Sequence, residues 1–110
     1  MSKSIIYKDP SNYFEAIIQL SPYDEEIFNF LKKRIRKRDG VFITKVIQLK
    51  TGIDIYISSQ RYARRLGQDM KKAFKGELKI TRKLHTQSRE TSKLLYRATV
   101  LFRLKPKEED

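Results

Sequence analysis

Residues 50–74 read KTGIDIYISSQRYARRLGQDMKKAF, and the period of their apolar residues changes once, near Ser58. Ahead of it, Ile53, Ile55 and Ile57 alternate with Asp54 and Tyr56, the period of two that marks a half-buried strand. Beyond it, Tyr62, Ala63, Leu66, Met70 and Phe74 recur at helical spacing, with Ser58 or Ser59 placed to cap the helix and Gly76 to stop it. Thr51-Gly52 is a tight-turn dipeptide, and Val41 to Lys50 is β-branched and apolar. The strand at 53–57 therefore closes a hairpin with the segment before it.

The same signals recur outward on both sides. Phe14, Ala16, Ile18 and Leu20 share one parity of a strand running from Tyr13 to Leu20. Ser21-Pro22-Tyr23-Asp24 reads as an N-cap, a proline at the first helical position and an acid suited to the helix's free amides. The helix that follows has the stripe Ile27, Phe28, Leu31 and Ile35 and ends near Arg38, with Gly40 where a left-handed terminator is wanted. On the other side, Leu78, Ile80, Arg82 and Leu84 share one parity of a fourth strand whose apolar side Arg82 breaks, so the strand is expected to finish at an edge. The polar stretch from His85 to Ser92 reads as an exposed connection. Leu94, Tyr96, Ala98, Val100, Phe102 and Leu104 then alternate through a fifth strand. The order β-α-β-β-α-β-β predicts an α/β (α+β) two-layer sandwich, with two helices on one face of a five-stranded mixed sheet. Residues 1–12 are expected to be a flexible N-terminal arm, 13–104 a single basic domain, and 105–110 a charged tail.

Composition narrows the chemistry. The 110 residues carry 25 Lys plus Arg against 13 Asp plus Glu, a formal charge of +12. With no cysteine and one histidine, a disulfide framework, a thiolate nucleophile and sulfur-ligated zinc are excluded, and no metal is expected. No apolar run reaches the roughly 20 residues of a membrane-spanning helix, and the N-terminus lacks the apolar core of a signal peptide. A cytoplasmic protein without a membrane partner is the expectation. The single histidine, His85, has no carboxylate pair beside it and there is no Gly-rich phosphate loop, so neither an enzyme nor a cofactor or small-molecule substrate is expected. Asp24, Glu25 and Glu26 fall in a helical first turn, where negative charge is favoured for structural reasons.

The cations are grouped. Lys32, Lys33, Arg34, Arg36, Lys37 and Arg38 occupy six of seven positions, and the second helix carries Arg61, Arg64, Arg65, Lys71, Lys72 and Lys75 against Asp69 alone. Several Lys and Arg acting together are rewarded by a polyanion, which releases condensed counterions, and the Arg fork matches phosphate oxygens. RNA is favoured over DNA because no helix-turn-helix, zinc-finger or zipper pattern is present. The candidate RNA contacts are Lys32, Lys33, Arg36, Lys37 and Arg38 on the first helix and Arg61, Arg64, Arg65, Lys71 and Lys72 on the second. Arg82, Lys83, His85 and Arg89 follow on the next strand and loop. Tyr56, opposite the apolar parity of its strand, is a possible stacking ring.

From about Val46 to Leu104 the chain resembles the archaeal and eukaryotic ribosomal export adaptor family named for nonsense-mediated decay. The resemblance rests on Thr51, Gly52, Asp54, Tyr56, Ser58, Ser59, Tyr62, Ala63 and Arg64 in that order, followed by ITRKLHTQSRETSKLLYRATVLFRL at 80–104. It implies a domain on the large ribosomal subunit that contacts ribosomal RNA during assembly or maturation. From Phe14 through FLKKRIRKRDG to Asp110 the chain is also similar in outline to the eukaryotic-type large-subunit ribosomal protein twenty-two. Members of the adaptor family carry a paired-cysteine zinc region and a module like a translation factor, and this sequence contains neither. The expectation is thus a ribosomal-RNA-binding protein of the large subunit, either a stand-alone ribosomal protein or a subunit assembly factor, with large-subunit proteins as further partners. The alternative is a protein-interaction module that docks on an acidic assembly partner.

Overall fold

Ala16, Ile18 and Leu20 are fully buried while their neighbours Ile17 and Gln19 are only partly covered, so the first predicted strand has one core face, as its alternation requires. The computed structural model describes residues 4–8, 13–87 and 94–105, with side chains from 13 to 84 and from 96 to 105. Its elements are β1 (Ser4–Lys8), β2 (Ala16–Ser21), α1 (Glu25–Lys37), β3 (Ile43–Leu49), β4 (Gly52–Ile57), α2 (Gln60–Ala73), β5 (Gly76–Gln87) and β6 (Leu94–Leu104). The five strands and two helices read from sequence are present in that order and share one mixed sheet, whose strand order is β1-β3-β4-β2-β6-β5. β2 runs parallel to β6, from Ala16 opposite Ala98 to Ser21 opposite Arg103, and the other pairs are antiparallel.

Three local expectations are corrected. Ser4–Lys8, taken as part of a flexible arm, adds a sixth strand by pairing with β3. Its alternation is obscured because the register shifts between Ile5 and Tyr7. Second, Asp24 rather than Ser21 caps α1: its Oδ1 accepts the Ile27 N–H at 3.0 Å, while Ser21 stays in β2 and donates its hydroxyl to the Thr51 carbonyl at 2.9 Å. Third, β5 continues past Arg82 through His85 to Gln87 as the edge strand, so the connection begins later than its polarity suggests. Arg89 lies outside the described residues, as do 106–110 of the tail, whereas the Lys105 N–H still donates to the Lys75 carbonyl at 3.0 Å.

Two glycines act as expected of the residue type. Gly40 has φ +81°, the left-handed conformation that lets the chain leave α1. A Cβ on Gly52 would lie 2.1 Å from the Leu20 carbonyl oxygen, so β4 can begin this close to β2 only without a side chain. Both helices lie against the core face of the sheet, α1 through Ile27, Leu31 and Ile35 and α2 through Ala63, Leu66, Gly67 and Met70. They run antiparallel to each other. Phe30 meets Phe74 edge to face at 5.4 Å, Arg34 pairs with Asp69 at 3.1 Å, and the Tyr62 hydroxyl donates to the Arg34 carbonyl at 3.1 Å.

The start of α2 borrows a charge. Its first turn contains no acid of its own, and the Ser59 hydroxyl accepts the Tyr62 N–H at 3.2 Å. Glu15, just ahead of β2, brings its Oε1 to the Gln60 N–H at 3.0 Å and accepts the Tyr13 hydroxyl on Oε2 at 2.5 Å. That hydrogen bond to Glu15, with burial second, pushes the Tyr13 phenol up to about 12. Because the folded-state value exceeds the unfolded one, the contribution of this contact is full below pH about 10 and is lost as pH climbs toward 12. Replacing Glu15 by Ala removes a carboxylate from a helix N-terminus and should cost about 1–2 kcal/mol, read from urea unfolding at neutral pH. An unchanged midpoint would show that Ser59 caps the helix unaided.

Candidate nucleic-acid interface

Once Ala63, Leu66, Gly67 and Met70 face the sheet, helical geometry fixes where the α2 cations point. Arg61, Arg64, Arg65 and Gln68 stand at i, i+3, i+4 and i+7 and form one flank, which Lys71 and Lys72 extend to an arc of roughly 120°. α2 packs over β2, β5 and β6, and β5 is the last strand of the sheet, so this flank overhangs an edge. Ile80 and Arg82 rise from β5 on the same side. The result is a cleft of about 610 Å³ lined by Arg61, Arg64, Arg65, Gln68, Ile80 and Arg82.

Four guanidinium groups thus converge without a counter-charge. Among the described residues no carboxylate lies within ion-pairing distance of any of them, because Asp69, the one acid of α2, is taken by Arg34 of α1. Arg82 is steadied over the Tyr96 ring, its guanidinium carbon 5.0 Å from the centroid. The Arg64 Nε is buried and has no acceptor among the described residues. A donor left in that state costs free energy that an arriving anion recovers.

The other sequence candidates separate into different places. Lys32, Arg36 and Arg38 border a second groove beside β3, and Lys33 and Lys37 are exposed on α1 away from the arginine cleft. Lys83 belongs to the opposite parity of β5 from Arg82 and is registered against Arg97. The Arg97 guanidinium lies over the Phe14 ring, its carbon 3.9 Å from the centroid. His85 lies in β5, and its side chain is outside those described. Tyr56 is on the sheet face turned away from the helices. Its ring meets Phe14 edge to face at 4.7 Å and carries the Lys45 Nζ 4.4 Å from its centroid, and burial raises its phenol above the usual tyrosine value. Tyr56 is therefore half-covered already. Gln68 is the addition from the structure and could have been found from its i+7 spacing to Arg61, whereas Arg97 is one of the cations grouped between residues 79 and 103 in the sequence.

Residues 13–104 match the family profile described as NMD3, second domain. The chain belongs to the NMD3 family. The matched range takes in β2 to β6 and both helices, including the whole arginine cleft, and leaves β1 outside. It extends the resemblance read from 46–104 back through α1. The match is to the NMD3 domain, and the outline likeness to the large-subunit ribosomal protein has no counterpart in it. No curated protein matches the chain. NMD3 membership makes this a domain of a ribosome-associated family tied to large-subunit biogenesis. Among the described residues no helix is long and apolar enough to cross a membrane.

Proposed function

We propose that this NMD3 second domain binds ribosomal RNA of the large subunit, seating backbone phosphates in the cleft between α2 and β5. The observation that carries the reading is the convergence of Arg61, Arg64, Arg65 and Arg82 with no carboxylate among them. Each planar guanidinium can take two phosphate oxygens, and the row along α2 presents successive groups about one helical turn apart. Lys71 and Lys72 prolong that row, and Lys83 with Arg97 supplies a second positive surface across the sheet. The domain acts as a binding module rather than an enzyme, needs no cofactor, and works in the cytoplasm on the ribosome beside large-subunit proteins.

Salt dependence tests this directly. With five to eight phosphates engaged, log K for a ribosomal RNA fragment falls against log salt with a total slope of roughly −4 to −7. Fluorescence anisotropy between about 0.05 and 0.3 M KCl reads that slope. A flat response would sink the proposal.

A further inference from the structure

A second groove, on the far side of α1 from α2, has a different chemistry. It encloses about 790 Å³ between the C-terminal half of α1 and the start of β3. Among the described residues its apolar lining is Phe28, Ile35, Val41, Phe42, Ile43 and Val46, and Lys32, Arg36 and Arg38 stand along it with Asp39 the only acid. Ile35 and Val46 are buried at its base, whereas the Phe42 side is 62% exposed. Two helices do not suffice for six strands. α2 covers β2, β5 and β6, and α1 lies beside it, so among the described residues no third helix lies above the sheet surface beyond α1.

Phe42 is held in this exposed position. Its N–H donates to the Ser58 hydroxyl at 2.9 Å and its carbonyl accepts the Ser58 N–H at 3.0 Å, so the backbone is fixed at both polar groups. A rigidly presented aromatic beside an apolar trough is the feature on which binding energy concentrates. Lys32 and Arg36 are one helical turn apart on the trough's border, a spacing that matches acids at i and i+4 of an incoming helix.

We propose that this groove docks an acidic amphipathic helix of a partner protein, its apolar stripe over Phe42, Val41 and Ile35 and its carboxylates against Lys32 and Arg36. Charge argues for this occupant over the others. Among its described residues a second copy of the chain offers only the helices α1 and α2, both net positive. The acidic end at 105–110, KPKEED, contains no large apolar residue to fill the trough. RNA would gain phosphate contacts at the border but would lay polar sugar on an apolar floor that cannot hydrogen-bond it.

Selection from a displayed library of peptides of roughly 16 residues, using the full chain as bait, tests the proposal. The expected winners carry apolar residues at i, i+3, i+4 and i+7 with Asp or Glu flanking them. One synthetic winner should lose about tenfold or more in affinity against Phe42→Ser, and as much against Lys32→Glu with Arg36→Glu, while Arg64→Glu leaves it unchanged. The exposed position of Phe42 keeps the first variant folded. Basic or neutral winners, or no enrichment over the Phe42→Ser bait, overturn the idea. So does tighter peptide binding by a chain ending at Lys105, which makes the acidic tail the occupant, or a tenfold loss of RNA binding in Phe42→Ser, which makes it RNA.

Discussion

Replacing Arg64 and Arg65 together by Glu is expected to lower RNA affinity about a hundredfold near 0.1 M salt, and by the same factor for every RNA sequence. The size follows from counterion release. With a slope close to 0.9 per phosphate, each contact contributes nearly a factor of ten at this ionic strength, and two contacts are lost while two negative charges enter the cleft. The salt slope should become shallower by about two units. Arg64 is partly buried, so Arg61→Glu with Arg65→Glu, both exposed on the helix surface, is the companion variant and should behave alike. Neither pair touches the core stripe of α2, so thermal unfolding should move by only about 1 kcal/mol. Loss confined to one RNA sequence would point to base readout, and full binding by both variants would remove the cleft from consideration.

Phe102→Ala should cost about 3–5 kcal/mol, a large share of the roughly 5–15 kcal/mol that a domain has. The ring is completely buried in β6, registered against Leu20 of β2 on one side and Leu78 of β5 on the other. It also fills the space at the base of the β5–β6 hairpin, where a Cβ on Gly76 would come within 2.6 Å of its Cζ. Truncation leaves a void among strands that cannot close without shifting the ladder, so the transfer and cavity penalties add. Urea midpoints for Phe102→Ala and the milder Phe102→Leu measure it, and a loss under about 1.5 kcal/mol for the alanine variant would mean that the hairpin base collapses freely.

Legibility in the sequence follows from how local each signal is. β2, β4 and β6 each bury one face, so their alternation at Ala16–Leu20, Ile53–Ile57 and Ala98–Phe102 is intact and readable. Ser4–Lys8 has five residues and a register irregularity, and its pairing partner β3 is some 40 positions away, a relation no local pattern contains. Ser21 and Asp24 both qualify chemically as caps. The choice between them rests on the Thr51 carbonyl, which claims the Ser21 hydroxyl from across the sheet.

The cleft was half readable in the same sense. Arg61, Arg64 and Arg65 form a helical row that spacing alone reveals, but the contribution of Arg82 depends on β5 being the edge strand beneath α2. Read alone, Arg82 is an interruption of an apolar parity. Likewise the charge blocks at 32–38 and 61–75 look equivalent on paper, yet antiparallel packing of the helices sends them to separate grooves, whose described apolar lining is Ile80 alone in one and six residues in the other.

The parallel pairing of β2 with β6 sets an order of events during synthesis. β2 is complete by residue 21, whereas the strand that flanks it emerges only with residues 98–103. Until then a nascent chain offers the bare edge of Ile17 to Leu20 and an α2 with only β2 beneath its apolar side, since β5 is anchored to the rest of the sheet only through β6. Closing so distant a contact is slow compared with helix formation. The arginines of α2 and β5 therefore become a shaped receptor only once β6 is in place, and a chain stopped before residue 98 would carry the α2 cations with nowhere to aim them.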